Sequence, residues 1–335
     1  MNKPLAPHIR TDARAGHMML DVLLAGIPLS IFSYVNYGPR PVVILLLTML
    51  TAIVCEALCC LVRHRPLRAV TDGSAAVTGL LIGLVMSPMV DYWVPMLGAA
   101  FAIIVVKAPF GGFGRNIFNP AAAGIAVLTY CFPQRMFSYP AASSVAKLPL
   151  SMSVGSDGAT LAPSLGAQLQ AGATPSLTRL QLVLGDYAGP IGCTAVLVLA
   201  AFLLYLLMRR SISPWTVLPY FVTCIAIAWL FPLPGMGRLY STAAQMCAGY
   251  VVFAGVFLLN DPVTTPRFWL GRLFYGFFTA LLVMLLQRIG RAEAGSCFAI
   301  LLMNTLAPII DRWSWYAWRW LKNLRYLGKE VKARG

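Results

Sequence analysis

The chain alternates long apolar runs with short polar breaks, and most of the runs have the length of helices rather than strands. They fall at 19–37, 41–62, 74–90, 92–108, 120–132, 189–208, 214–232, 240–259, 268–287 and 294–311. A bilayer core of about 30 Å needs roughly 20 apolar residues per helix. The pattern therefore predicts an all-α integral membrane protein with about ten transmembrane helices. The runs at 74–90 and 120–132 are rich in Gly and Ala. They are expected to be short or broken helices, which are tolerated where they line a cavity.

Composition closes off the alternatives. Of 335 residues, 59% are hydrophobic and 11% charged, whereas a soluble domain is about 45–50% apolar and about 25% charged. A soluble enzyme is excluded, and so is a disordered chain, which needs low hydrophobicity. The net charge of +15 suggests nucleic acid until its placement is considered. Nineteen of the 26 basic residues fall in alternate breaks and the two tails, among them Lys3, Arg10, Arg63, Lys107, Arg115, Arg209 and Arg267. The other breaks hold only Arg40, Arg135, Lys147, Arg179, Arg238, Arg288 and Arg291. Lys and Arg accumulate on the cytoplasmic side of membrane proteins, so both termini are expected there and no nucleic acid is expected as partner. The first 18 residues are polar and basic, unlike the apolar core of a cleavable signal. Trp313, Trp315, Trp318 and Trp320 with Lys322 and Arg325 predict an amphipathic helix at the lipid interface.

The chain divides accordingly. A cytoplasmic tail (1–18) precedes a first membrane half of five spans (19–132). An outer loop (133–188), rich in Ser, Ala, Gly and Pro, leads to a second five-span half (189–311) and a basic aromatic tail (312–335). Loops beyond about 12–15 residues are usually functional or disordered, which makes 133–188 the first place to look for chemistry. Asp72-Gly73-Ser74 with Thr78 opens the third run, and Asp261-Pro262-Val263-Thr264-Thr265 opens the ninth. Five spans end on the opposite side from their start, so two such halves would be inverted repeats with a site between them.

Few side chains in the runs carry charge. A carboxylate inside a span costs about 2.5–3.5 kcal/mol on insertion scales, so Glu56 in the second run and Asp21 in the first need a reason. Glu56 suits an ion pathway, or else a carboxyl protonated or paired with Arg63 or its neighbours. Between runs four and five lies Gly111-Gly112-Phe113-Gly114-Arg115-Asn116-Ile117-Phe118-Asn119-Pro120. Its glycines allow close backbone approach to a ligand. Asn116 and Asn119 offer donors and acceptors together, suited to a heterocycle edge, though a re-entrant turn capped by Asn119 uses the same residues. In the outer loop Asp157-Gly158-Ala159-Thr160 and Gly172-Ala173-Thr174-Pro175 each leave a threonine hydroxyl beside small neighbours; a Ser/Thr-rich turn would look the same. The eight cysteines show no Cys-x-x-Cys spacing and there are only three His. They suit small buried hydrophobes better than a metal site, and a cluster shared with another subunit stays open.

Four motifs in one register carry a resemblance. Thr71-Asp72-Gly73-Ser74, the Gly111–Pro120 stretch, Asp261-Pro262-Val263-Thr264-Thr265-Pro266 and Leu301-Leu302-Met303-Asn304 resemble the NqrB/RnfD family, from about residue 20 to 312. These are membrane subunits of the sodium-pumping NADH:quinone reductase and of the Rnf complex. The length and short N-terminus look more like the RnfD branch, from the Rnf ion-translocating electron transport complex, than the NqrB branch of the quinone reductase.

The resemblance implies a flavoprotein subunit of a translocase, catalytically incomplete alone, in a bacterial inner membrane. It implies FMN bonded through its phosphate to a threonine in the outer loop. Thr160 matches the family's spacing to Leu184-Gly185, while Thr174 matches its following proline. The chain departs from the family at Asp157, at Leu161 and at Cys193, where many relatives carry Glu. A second, non-covalent flavin, riboflavin, is implied among the helices, with Asn116, Asn119, Asp72, Thr78, Asp261 and Thr264 as its candidate neighbours and Glu56 or Asp72 as an ion stop. The implied partners are the other subunits of the redox complex, one of them a second covalent-FMN protein, together with a flavin transferase and membrane lipid. An NqrB-like role in a quinone reductase and a non-redox ten-helix transporter or channel are the competing readings.

Overall fold

All ten apolar runs carry helices. The computed structural model describes residues 12–141, 148–151, 160–289 and 293–334. The first half contains α1 (Asp12–Tyr37), α2 (Arg40–Val62), α3 (Ser74–Leu84), α4 (Trp93–Phe101) continued by a π-helical stretch (Ala102–Lys107), and α5 (Pro120–Cys131). The connecting segment adds α6 (Pro133–Met136), the strands β1 (Tyr139–Pro140) and β2 (Leu161–Ala162), α7 (Leu165–Gln170) and α8 (Arg179–Leu184). The second half comprises α9 (Val196–Met208), α10 (Pro214–Leu230), α11 (Arg238–Cys247), α12 (Val251–Phe253) with a π-helical continuation (Ala254–Leu258), α13 (Trp269–Ile289) and α14 (Gly295–Arg334). Among the described residues, Gly16–Tyr37, Arg40–Val62 and Trp269–Ile289 are long and apolar enough to cross a bilayer. The α11–α12 pair passes the same test as one span bent by 64°, and five further apolar helices are shorter.

Burial on α1 has the sense expected of a helix in lipid. Leu20, Leu24, Ile27 and Ile31 are 50–58% exposed along one stripe, while Ala25 and Leu29 on the other face are fully buried. Exposed apolar patches of this size on a water-soluble surface would drive aggregation; against lipid tails or a neighbouring subunit they carry no such penalty. The molecule is a multi-pass membrane protein.

The short helices end where other parts of the chain supply hydrogen bonds. α3 stops at Leu84 rather than running to residue 90, and α9 starts at Val196 rather than 189. The two irregular stretches cover each other. Gly192 N–H donates to Leu84 O (2.6 Å) and Ile191 N–H to Met86 O (2.9 Å), while Ser33 Oγ donates to Ile191 O (2.9 Å). Arg40 lies fully buried and donates to Pro88 O (3.0 Å), Val90 O (2.8 Å) and Leu150 O (2.6 Å). Backbone groups at membrane depth need such internal partners because lipid offers none. The break between α11 and α12 is met by Gln287 Nε2, which donates to Gln245 O and Ala248 O (3.1 and 3.3 Å).

Two faces emerge. One gathers the ends of α1 and α2 at Tyr37 and Arg40 with the 133–188 segment: Leu148 N–H donates to Tyr37 O (2.9 Å), and Tyr240 Oη to Leu177 O (2.8 Å). The opposite face gathers Arg63, Arg65, the 108–119 loop, Arg209 and Asp311. There Arg63 and Arg65 donate to Ala108 O and Gly111 O, and Arg209 pairs with Asp21 across α1 and α9 (3.2 Å). The basic breaks thus share one face, as the charge pattern predicts, with one correction. Lys107 is no loop charge: it is 2% exposed at the end of the π-helical stretch. The aromatic tail is helical, Trp313–Trp320 continuing α14 in a single 40-residue helix about 60 Å long at 1.5 Å per residue.

Candidate functional site

The glycine loop after Lys107 turns the chain back into the protein. Gly111, Gly112 and Gly114 take positive φ of 115°, 86° and 86°, a region open to glycine and strained for other residues. The loop delivers Asn119 as the N-cap of α5, where its Oδ1 accepts from Ala122 N–H (3.2 Å) ahead of Pro120. The cap expected from sequence is therefore present, and the residue does more. Its Nδ2 donates to Leu258 O (2.8 Å) at the end of the second π-helical stretch. Its own N–H is received by the Asn304 amide, oriented so that Oδ1 accepts at 2.9 Å. Asn119 thus joins the two halves of the molecule at a helix N-terminus.

Asp261 answers from the other half, in the turn between the second π-helical stretch and α13. It accepts from Val263 N–H (3.2 Å), Thr264 Oγ1 (3.1 Å) and, at 3.5 Å, Asn116 Nδ2. Asn116 also donates to Phe118 O (3.1 Å). Burial pushes the Asp261 carboxyl above the ordinary carboxylate range, against the hydrogen bonds of Val263, Thr264 and Asn116 and the charge of Lys107.

Between these elements lies a narrow, partly open cleft of about 80 Å³. Thr78, Asn116, Asn119 and Asp261, four of the candidate neighbours implied by the resemblance, all line it, together with Ser74, Lys107, Ser211 and Asn260. Met19, Val22, Leu81, Phe113, Val256 and Phe257 supply apolar walls. Asp72 and Thr264 stand one step behind. Asp72 Oδ1 accepts from the N–H and Oγ of Ser74 (2.8 and 2.5 Å), and Thr264 holds Asp261. Thr78 donates to Ser74 O within its own helix (2.8 Å).

The reason for Glu56 is Lys107, not Arg63. Lys107 Nζ lies 2.5 Å from Glu56 Oε1 and donates to Ser74 Oγ at 2.6 Å. A continuous polar chain, Glu56–Lys107–Ser74–Asp72, therefore runs from α2 to the cleft wall. Glu56 Oε2 is buried and unpartnered among the described residues. Lys107 escapes the sequence reading because it ends an apolar run, where a charge passes for an interfacial one. A lone Lys closing a run, with a lone Glu inside a neighbouring run, is the signal that pairs them.

In the 133–188 segment, Thr160 and Thr174 are both exposed, and residues 157–159 lie outside the described residues. Thr160 enters β2, its O accepting from Ala141 N–H (3.0 Å). Thr174 lies against the turn at Gly235. Six of the eight cysteines are buried, as small hydrophobes, and among the described residues no group of His, Cys, Asp and Glu has the geometry to hold a metal ion.

Comparison with known proteins identifies the relatives of this chain. The model of the NQR2, RnfD, RnfE family matches residues 3–316. The D component of an ion-translocating oxidoreductase complex from Halorhodospira halophila is 30% identical, over 92% of each chain. The D component of a complex of the same name from Vibrio cholerae is 32% identical, over 91% of this chain and 95% of its own. That of a proton-translocating ferredoxin:NAD(+) oxidoreductase complex from Clostridium ljungdahlii is 30% identical, over 92% and 93%. A match along nearly the whole chain, through the loops that build the cleft, places this protein in the NQR2, RnfD, RnfE family.

Proposed function

We propose that this chain is a flavin-carrying, RnfD-like subunit of an ion-translocating oxidoreductase complex. In this reading it relays electrons between flavins across the membrane and couples that transfer to movement of Na⁺ or H⁺. One observation carries the proposal: the cleft collects Asn116, Asn119, Thr78 and Asp261 from three distant stretches of chain onto one site. The relatives named above are components of such complexes, and that supports an RnfD-like rather than an NqrB-like assignment. The topology we infer is ten crossings in two inverted halves, the basic face being cytoplasmic.

The residues present fit a flavin. The cleft is apolar on its walls and polar at a few convergent points, as cofactor sites are. A bound isoalloxazine would supply the redox chemistry; the chain supplies position and field. Asn116 and Asn119 are fixed by their bonds to Phe118 O and Leu258 O, so their amides are held in place for a planar ligand. Lys107 adds positive charge to one wall, where low dielectric strengthens its effect on any negative charge nearby. Phe113, Leu81 and Phe257 exclude water. Glu56 and Asp72, at the two ends of the Lys107 chain, are where we place a stop for the transported cation.

We assign FMN to Thr160, through a phosphoester made by a flavin transferase. Its exposure leaves the hydroxyl within reach of a modifying enzyme. Thr174 is exposed as well, so the two need a direct test. Purified chain from a host with the transferase should fluoresce under ultraviolet light on a denaturing gel. Thr160→Ala should abolish that band and Thr174→Ala should keep it; a dark wild-type band would sink the covalent-FMN reading.

A further inference from the structure

We infer that Glu293 is the positioning residue that sets the place of Thr160, an inference that rests on the assignment of FMN to that threonine. Glu293 lies in the turn before α14, far in sequence from the 133–188 segment, and is 8% exposed. Both its oxygens are engaged by that segment. Ser164 Oγ donates to Oε1, and the fully buried Tyr139 hydroxyl donates to Oε2 at 3.1 Å. One donor lies in β1 and the other just after β2, at the end of a small sheet whose opposite end carries Thr160. Tyr139 pairs with Ala162 and Pro140 with Leu161, and the next pair in register is Ala141 N–H with Thr160 O. Ser164 follows β2 and caps α7 by accepting from Ala167 N–H (3.0 Å).

A two-stranded ribbon this short has little stability of its own. Something else must hold Thr160 in one place, and the carboxylate is the only group bonded to side chains on both strands' flanks among the described residues. The surroundings are built around it. A Cβ at Gly166 would come within 3.2 Å of Glu293 Cγ, and one at Gly249 within 3.0 Å of Glu293 O. No cation pairs with the carboxylate among the described residues, so its hydrogen bonds to Tyr139 and Ser164 are what compensate its burial. A carboxylate can accept from both hydroxyls at once, whereas an apolar side chain would leave two buried hydroxyls without a partner.

The test separates the anchor from the flavin. Full-length chain in lipid nanodiscs is compared as wild type, Glu293→Ala, Glu293→Gln and Tyr139→Phe, each expressed with the transferase. Amide hydrogen exchange of peptides spanning 137–141 and 160–165 reads the ribbon whether or not flavin is present. Flavin fluorescence per chain on a denaturing gel reads modification. Glu293→Ala should speed exchange in those two peptides about tenfold, leave α2 and α13 unchanged, and lower flavin occupancy severalfold. Glu293→Gln, which still accepts one hydroxyl, should fall between, and Tyr139→Phe should loosen the β1 peptide more than the β2 one. Unchanged ribbon exchange in Glu293→Ala overturns the anchor, as does exchange accelerated equally in α2 and α13. Faster local exchange with full flavin occupancy overturns the positioning of Thr160. Faster local exchange in Glu293→Ala, with Thr160 unmodified even in wild type, removes the FMN assignment and the positioning role with it, while the structural latch stands.

Discussion

Lys107 Nζ sits 2.5 Å from Glu56 Oε1 and both side chains are almost fully enclosed, so two charges lie inside the helical bundle as one unit. Removing either partner leaves an uncompensated buried charge, which costs about 3–5 kcal/mol. Lys107→Met and Glu56→Gln should each lower the thermal unfolding temperature of the chain in detergent. The double variant should recover most of the loss, since exchanging a whole buried pair for neutral groups is often near neutral. Unfolding of the four proteins forms a double-mutant cycle. Additive losses would mean that the pair does not act as a unit.

Asn119 makes two kinds of bond that can be separated. Asn119→Ala removes the N-cap of α5, a loss of about 1 kcal/mol, together with the donor to Leu258 O. Asn119→Asp keeps a capping oxygen for Ala122 N–H but sets a carboxylate against the Leu258 carbonyl. If the bridge between halves matters more than the cap, Asp should destabilise at least as much as Ala, and both should lower retention of non-covalent flavin. Unfolding temperature and flavin released on acid treatment report the two effects. A stable, flavin-retaining Asn119→Asp chain would reduce Asn119 to a plain cap.

Legibility in the sequence varies from residue to residue. The apolar runs foretell the helices of both halves, because period and length depend only on local sequence. Asn116, Asn119, Thr78 and Asp261 stand out as polar groups near glycines and prolines, where backbone geometry is unusual. Their convergence cannot be read, since it depends on how α5 meets the turn at Asp261, a contact across more than 130 residues. The ends of α3 and α9 escape for the same reason. Apolar sequence continues through residues 85–90 and 189–195, and only the mutual hydrogen bonds of Leu84, Met86, Ile191 and Gly192 stabilise the non-helical path. Lys107 and Glu293 are hidden because a charge beside a run looks interfacial until its partner is placed.

Gly79 marks the closest approach of α3 to α2. A Cβ there would lie 2.7 Å from both Met49 Cα and Thr48 O, and backbone cannot give way as a side-chain tip can. Gly79→Ala should force α2 and α3 apart and cost about 1–3 kcal/mol, in the manner of overpacked cores. Gly16→Ala, with nothing within 4 Å of the added carbon, is the matched control and should be neutral or slightly stabilising. Equal unfolding temperatures for the two variants would contradict the packing.

Stability of the cleft should depend on pH through Asp261. Burial holds its carboxyl above the ordinary value near 3.8, so the folded chain disfavours the charged form. Such a group's contribution is fully present below the unfolded value and is lost as pH rises through the folded one. An Asp261→Asn chain keeps an acceptor for Val263 N–H and Thr264 but has no proton to lose. The unfolding temperature of wild type relative to Asp261→Asn should therefore decline as pH rises from about 4 and level off once Asp261 is ionised in the folded state. A neighbouring positive charge works the other way, and Lys107 is one of the groups that hold the Asp261 value down. In the Lys107→Met background the decline should extend to higher pH. A pH-independent difference between wild type and Asp261→Asn would show that the carboxyl ionises in the cleft as easily as in the unfolded chain, and that the polar wall compensates fully for its burial.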